Sequence, residues 1–348
     1  MSGTDAPASG PGPPAGTPVR YAGVSAGWLR KWGISLASFV GGVLAIFVFR
    51  RGLPHVSWIV GYVLLLSLLV AVVVQTRDAL QGSGRKVHRL VLTATEYTIQ
   101  TLYHGVLLFL IPAYYAAATL TSVNVFFVAL LVALALLATV DPWYRAVVHP
   151  RPWVSAIFFI VSLFGALNLA LPLVGVPPII ALVLSAWMAT LGITPMVCRA
   201  RGWRWSRGLL TTAAVGVAVM VIASLARVWI PPAPLFLAKA TLAWNVGAMD
   251  SLGPPSAIPA RELFERGLVA HTAIYAPAGL RQPVEHVWRR DGRIVDVVKL
   301  TPVDGGRNEG YRTYSRKTGF PERPHGRWTV DVMTSAGQLI GRLRFRVV

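Results

Sequence analysis

Long apolar runs constrain the fold of this chain more than any other feature of its sequence. A helix needs about 20 mostly apolar residues to cross a bilayer core about 30 Å thick, because it rises about 1.5 Å per residue. Runs of about this length are Gly33–Phe49, Ser57–Gln75, Tyr97–Leu120, Val123–Val140, Trp153–Val174, Pro178–Val197 and Gly208–Ile230. They predict an all-α membrane bundle of about seven transmembrane helices, with the lipid bilayer as a partner. Whether the first run crosses stays open.

Composition indicates two regions in different solvents. The chain is 54% hydrophobic and 14% charged, whereas soluble domains are usually about 25% charged. About half of its 33 lysines and arginines nevertheless follow Gly253. A long apolar part is therefore followed by a smaller part that meets water.

Basic residues in the short loops predict the orientation, because cytoplasmic loops retain Lys and Arg. Those on one side of the predicted membrane are Arg20, Arg30, Lys31, Arg77, Arg85, Lys86, Arg89, Arg145, Arg151, Arg199, Arg201, Arg204 and Arg207. The opposite side has Arg50 and Arg51 in its short loops. We therefore expect a cytoplasmic N-terminus and an extracytoplasmic C-terminal domain. The net charge of +19 then reflects topology, and we expect no nucleic-acid partner.

Shifts in composition divide the chain into four segments. Residues 1–19 are rich in Pro, Gly, Ala and Ser and are predicted to be a disordered tail, and the helical region follows over residues 20–230. Residues 231–266 are predicted to hold an interfacial amphipathic helix and a linker, because Lys239 and Asp250 are the only charged residues among residues 233–252. A partial crossing by residues 233–252 is the alternative.

The last segment, residues 267–348, changes from helical to alternating periodicity, which predicts strands. Val284, His286 and Trp288 share one face, and Asp291–Gly292 follows as a hairpin turn. Leu339, Gly341, Leu343, Phe345 and Val347 alternate in the same way near the C-terminus. About six or seven short strands predict a small all-β, immunoglobulin-like sandwich domain.

Three sequence blocks in this domain carry a family resemblance. They read HVWRRDGRIVDVVKL, GYRTYSRK and GRWTVDVMTSAGQLIGRLRFRVV, in that order. Together they resemble the bacterial domain of unknown function 2914 family, and the preceding region resembles the uncharacterised multi-pass membrane proteins that carry this domain. The resemblance implies a bacterial membrane protein and no catalytic residue; with the orientation expected from the basic loops, this predicts an inner-membrane protein with a periplasmic β domain.

Arginines on the predicted last strand are the candidate ligand-binding residues. Arg342, Arg344 and Arg346 occupy alternate positions and so project to the same side. With Arg312 and Arg316 they would form a basic strip for phosphate or carboxylate groups, which arginine binds in bidentate fashion. Candidate partners are an anionic envelope lipid, a glycan or a protein. The structural alternative is a solvated edge strand that resists aggregation.

His104 and Glu96 are the intramembrane candidates, since ionisable groups at membrane depth are costly. The structural alternative is a histidine bonded to a neighbouring helix. We predict no catalytic residue, metal site or cofactor: His271, His286 and His325 lack ligand spacing, and Ser315, His286 and Asp331 lack a nucleophile elbow.

Two functions fit these patterns. The first is a non-enzymatic bacterial inner-membrane protein whose extracytoplasmic β-sandwich binds an envelope component or a partner protein. The second is a membrane transporter or lipid-modifying enzyme that uses a cavity in the helical bundle.

Overall fold

The computed structural model describes residues 86–148, 150–247 and 257–348, with the backbone alone for residues 86–93. The disordered tail over residues 1–19 and the runs Gly33–Phe49 and Ser57–Gln75 lie outside the described residues, as does the Arg50–Arg51 pair. The described chain has a helical region followed by a β-sheet domain.

Seven described α-helices and one described 3₁₀ helix precede the first described strand. They are α1 Lys86–Ala117, α2 Val125–Thr139, α3 Asp141–Val147, α4 Pro152–Leu173, α5 Pro178–Leu191, α6 Thr194–Arg201, α7 Trp205–Leu225 and the 3₁₀ helix Ala226–Trp229. Proline stands in the first turn of α3, α4, α5 and α6. A proline is tolerated there because the first amide groups of a helix have no partner within the helix.

Three described helices are long and apolar enough to cross a membrane by length and composition: Pro152–Leu173, Pro178–Arg201 and Trp205–Trp229. A fourth counts if α2 and α3, which meet at an angle of 104°, form one broken span. These correspond to four of the predicted runs. The run Tyr97–Leu120 lies largely in α1, which is not among these spans and carries the polar residues Gln100 and His104 within it.

The helices pack around a shared apolar core, and several buried polar groups bond within it. The hydroxyl of Tyr114 on α1 donates to the carbonyl of Gly165 on α4, at 3.0 Å, and accepts a bond from Asn168 Nδ2, at 2.9 Å. Gly165 also admits Leu110, which would lie 2.9 Å from an added Cβ. Polar bonds and a close approach thus set the contact between α1 and α4.

Ten strands form three described sheets. The strands are β1 Phe236–Ala243, β2 Ala257–Ile258, β3 Leu268–Tyr275, β4 Arg281–Gln282, β5 Val284–Arg290, β6 Arg293–Lys299, β7 Val303–Asp304, β8 Tyr311–Lys317, β9 Gly326–Thr334 and β10 Leu339–Val347, and a short helix, α8 Ala260–Arg266, follows β2. One sheet has the order β1-β3-β8, a second β2-β10-β9-β5-β6, and β4 pairs with β7. All pairs are antiparallel except β2 with β10.

The predicted amphipathic helix within residues 233–252 is wrong. Phe236–Ala243 is strand β1, which pairs with β3 from Phe236↔Tyr275 to Ala243↔Val269. The apolar residues that suggested a membrane-facing stripe, such as Leu235 and Leu242, are buried in the core of the β domain. Backbone pairing with β3 outweighs the weak helical pattern, and the domain therefore starts well before Gly267.

The strands predicted after Gly267 are confirmed. The β5–β6 hairpin turns at Asp291 and Gly292, with φ of 45° and 82°, the left-handed values that a two-residue hairpin turn requires. Trp288 on β5 and Trp328 on β9 are fully buried. Residues from both larger sheets share one apolar core, so the two sheets face each other.

Candidate anion-binding site

Alternation on β10 places three arginines on the outer face of the five-stranded sheet. Leu343, Phe345 and Val347 point into the core. The residues between them, Arg342, Arg344 and Arg346, point away from it, opposite Asp331, Thr329 and Arg327 of β9 respectively. The predicted arrangement of the last strand therefore holds, and its neighbour supplies a further arginine.

The carboxylate of Asp331 organises one end of this face. It is 3% exposed and accepts two bonds from Arg342, from Nε to Oδ1 at 2.5 Å and from Nη2 to Oδ2 at 2.8 Å. Arg289 Nε on β5 donates to Oδ2 from the other side, at 3.1 Å. One buried carboxylate thus holds two guanidinium groups in place. The guanidinium of Arg342 is bonded to it through two nitrogens.

Arg327, Arg344 and Arg346 differ from that pair. All three are exposed, and none of them forms an ion pair with another residue in the described part of the chain. Guanidinium groups with free donors can bind phosphate or carboxylate oxygens in bidentate fashion. These three residues are the part of the face that is available to an anion.

The arginines line an open groove of about 880 Å³. Five arginines and two aspartates contribute to its walls, so positive charge is in excess: Arg289, Arg327, Arg342, Arg344, Arg346, Asp291 and Asp331. Ser122 and Val123 of the α1–α2 loop and Val228 of the 3₁₀ helix line it as well. We call this feature the basic groove; it is shared between the β domain and the helical region.

Hydrogen bonds to the β9–β10 turn and the start of β10 hold the two regions together. Arg227 Nε donates to the carbonyl of Ala336 at 2.6 Å, and Gln338 Nε2 donates to the carbonyl of Ile230 at 3.3 Å. Asn124 Nδ2 donates to the carbonyl of Leu339 at 3.4 Å. The groove therefore begins near the α1–α2 loop and the end of α7.

Arg312 and Arg316 do not join the basic groove. They lie on β8, in the three-stranded sheet, where Arg312 bonds to Glu309 and Arg316 to the carbonyl of Arg266. The alternation on β8 was predicted correctly, but sheet membership depends on long-range pairing. Arg289 and Arg327 line the groove instead. Finding them requires the pairing register of β5, β9 and β10, which the sequence pattern does not give.

The intramembrane candidates lie along α1. His104 is buried, with Nδ1 2.8 Å from Thr139 Oγ1 of α2. Glu96 is half-buried and stands two turns earlier, about 12 Å along the helix axis. Between them, Gln100 Nε2 donates to Asp141 Oδ1 at 2.7 Å and to the Ala138 carbonyl at 2.9 Å, at the bend between α2 and α3.

The buried Ser315, His286 and Thr272 form a structural bridge between the facing sheets. His286 Nδ1 lies 2.8 Å from Ser315 Oγ, and Nε2 lies 3.1 Å from Thr272 Oγ1. Burial lowers the pKa of His286 to about 4, and nearby His271 adds to the effect. Asp331 stands on the opposite face of its sheet, so these residues form no catalytic triad.

Metal binding has no support in the part of the chain that the structure describes. No group of three or more His, Cys, Asp or Glu side chains there is arranged to hold a metal ion. On the described surface of the β domain, the groups of the basic groove that can bind a ligand are therefore its arginine guanidinium groups.

Two family models match the chain. One, a family of unknown function (DUF5924), matches residues 25–270. The other, a protein of unknown function (DUF2914), matches residues 281–347 and so confirms the resemblance of the C-terminal region. No curated protein and no solved structure matches the chain. The first model extends into β3, so the boundary between the families lies inside the β domain.

Proposed function

Because the chain belongs to the family of unknown function DUF5924 and carries a C-terminal DUF2914 domain, we propose its function from geometry alone. It is a non-enzymatic, multi-pass protein of the bacterial inner membrane that binds an anionic envelope component in the basic groove of its extracytoplasmic β domain. The observation that carries this proposal is the exposed set Arg327, Arg344 and Arg346, whose side chains form no ion pair among the described residues.

Apolar exposure supports the membrane part of the proposal. Only 17% of the residues in the apolar window of the span Trp205–Trp229 are buried. Large apolar side chains such as Leu210, Val217 and Ile222 are uncovered. A helix of this kind is stable when lipid surrounds it. Up to four described helices are candidate spans. Adding the run in α1 and the two apolar runs before residue 86 gives the proposed bundle of about seven spans.

The charge of the helix ends supports the orientation. Arg145, Arg151, Arg199, Arg201, Arg204 and Arg207 lie at the helix ends away from the β domain. The loops on the β-domain side, residues 118–124 and 174–177, contain no Lys or Arg. Since basic loops stay in the cytoplasm, the β domain belongs on the other side. The immunoglobulin-like classification of its two facing sheets stays a prediction.

Binding to a soluble polyanion tests the function directly. The full chain in phosphatidylcholine nanodiscs should bind inorganic polyphosphate at near-physiological salt, and the double variant R344Q/R346Q should bind it at least about tenfold more weakly. Each charge-assisted bond contributes about 1.5 to 3 kcal/mol, and about 1.4 kcal/mol is tenfold in affinity. The matched control R312Q/R316Q removes the same charge from the other sheet and should bind like wild type. Equal losses in both variants would contradict a defined site.

A second candidate function rests on the buried bonds between Gln100 and Asp141 at the α2–α3 bend. Broken helices with buried polar groups occur in transporters, where they hold a substrate or a coupling ion. Proton flux into proteoliposomes that wild type supports and the D141N variant abolishes would establish this role. Absence of flux in both would remove it.

A further inference from the structure

We infer that the ligand of the basic groove is an anionic phospholipid from the membrane leaflet on the β-domain side. This inference rests on the proposed function and names the ligand class. The groove has two chemically different ends, and each end matches one part of such a lipid.

The end formed by the helical region is largely apolar, with Ser122 as the one polar lining residue among the described residues there. Val123 and Val228 line it, and both are exposed. Beside them, Phe126 at the start of α2 contacts Trp229 with ring centroids 5.5 Å apart, and both rings are also exposed. These residues stand where α2 begins and α7 ends, which is the level at which aromatic side chains meet the membrane interface. An acyl chain has apolar contacts there.

The other end carries the arginines that form no ion pair among the described residues. Strand β10 leaves the helical region at Leu339, which is bonded to Asn124. At about 3.4 Å per residue, Arg344 lies about 17 Å and Arg346 about 24 Å along the strand from Leu339. Arg327 lies beside Arg346 on β9. A phosphate bound there would meet two or three guanidinium groups.

The separation of the two ends decides the class of ligand. A free phosphate reaches the arginines and makes no contact at the apolar end. A zwitterionic lipid brings a cation that the excess of arginine repels. An anionic phospholipid satisfies both ends, and its source is the membrane into which the neighbouring helices are inserted.

The bond between Arg342 and Asp331 fixes the structure of the basic end, and the Asp331 carboxylate does not compete with the ligand phosphate for the other arginines. Their bidentate bond uses the guanidinium of Arg342, and the carboxylate is 3% exposed. The acid is thus shielded from the ligand phosphate, while the arginines beyond it form no ion pair with any residue that the structure describes. The groove presents cations on a rigid strand, which lowers the entropic cost of binding.

Native mass spectrometry of the full chain, released from dodecyl maltoside micelles, tests the inference. Phosphatidylglycerol should be retained at least about tenfold more strongly than phosphatidylcholine of equal chain length. R344Q/R346Q should lose this preference, and R312Q/R316Q should keep it. V123S/V228S should weaken phosphatidylglycerol retention about threefold or more, because two exposed apolar contacts are lost. Glycerol phosphate, the headgroup probe, should bind more weakly than the lipid.

The outcomes separate this inference from the function on which it rests. If wild type retains both lipids equally, or R344Q/R346Q keeps the preference, the lipid assignment is overturned. If polyphosphate binding still falls in R344Q/R346Q, the anion-binding function stands without it. If V123S/V228S retains phosphatidylglycerol like wild type, the apolar end takes no part in binding, and the two-ended lipid assignment is overturned. Thermal melting of every variant checks that the loss is not due to unfolding, and these exposed positions make unfolding unexpected.

Discussion

The guanidinium Nε of Arg227 donates to the carbonyl of Ala336 at 2.6 Å. Arg227 lies in the 3₁₀ helix that ends the helical region, and Ala336 lies in the turn between β9 and β10. Nη1 of the same arginine also donates to the carbonyl of Ser224 at 2.8 Å. One side chain therefore joins the end of the helical region to the β domain at the mouth of the basic groove.

Replacing Arg227 by Gln should loosen this junction. A hydrogen bond to a charged group contributes about 1.5 to 3 kcal/mol, so amide exchange over residues 335–338 should be about 10-fold or more faster in R227Q. R323Q, an exposed arginine elsewhere in the β domain, is the matched control. Unchanged exchange in R227Q would show that the apolar packing alone holds the regions together.

Replacing Asp331 by Asn should destabilise the β domain. The buried carboxylate has two arginine partners, and removing one member of a buried ion pair costs about 3 to 5 kcal/mol. Both arginine side chains are partly exposed, so we expect about 2 kcal/mol, measured by chemical unfolding of the full chain in detergent. D304N, whose exposed partner is Arg281, should change stability by less than about 1 kcal/mol. A D331N chain as stable as D304N would contradict the structural role.

Acidification should weaken the β domain through His286. Its folded pKa is about 4, below the ordinary value of 6.5, so the unfolded chain binds the proton more readily between these values. The contribution is present above pH 6.5 and is lost as pH falls from 6.5 to 4, by at most about 3 kcal/mol. Calorimetric melting at about pH 7 and about pH 4.5 measures it. H286Q should show a smaller difference between the two pH values; an equal difference would assign the effect to other groups.

Replacing Asp141 by Ala should destabilise the helical region and leave the groove intact. Gln100 Nε2 keeps its bond to the Ala138 carbonyl but loses its buried carboxylate partner, at a cost of about 1 to 3 kcal/mol. Melting in detergent should shift, while polyphosphate affinity should stay within about twofold of wild type. E265A removes an exposed acid and controls for charge. Weaker polyphosphate binding in D141A alone would mean that the two regions are coupled.

Local patterns accounted for much of the β domain. Alternation predicted β3, β5, β8, β9 and β10, because a strand with one face in the core repeats every second residue. It also predicted that Arg342, Arg344 and Arg346 share a face. Strand β1 was missed, because the periodicity of residues 233–252 is weak and its pairing partner, β3, follows much later in the chain.

Neighbouring residues alone were enough to find the described helices that are apolar enough to span a membrane, the strands after Gly267, and the basic side of the last strand. These properties depend on local pattern and on solvent, so they can be read without knowing any partner. The three-dimensional arrangement was needed to place Arg312 and Arg316 in another sheet, to bring Arg289 and Arg327 into the groove, and to pair Asp331 with Arg342. Those outcomes depend on strand order and register, which are set by the packing of residues far apart in the chain.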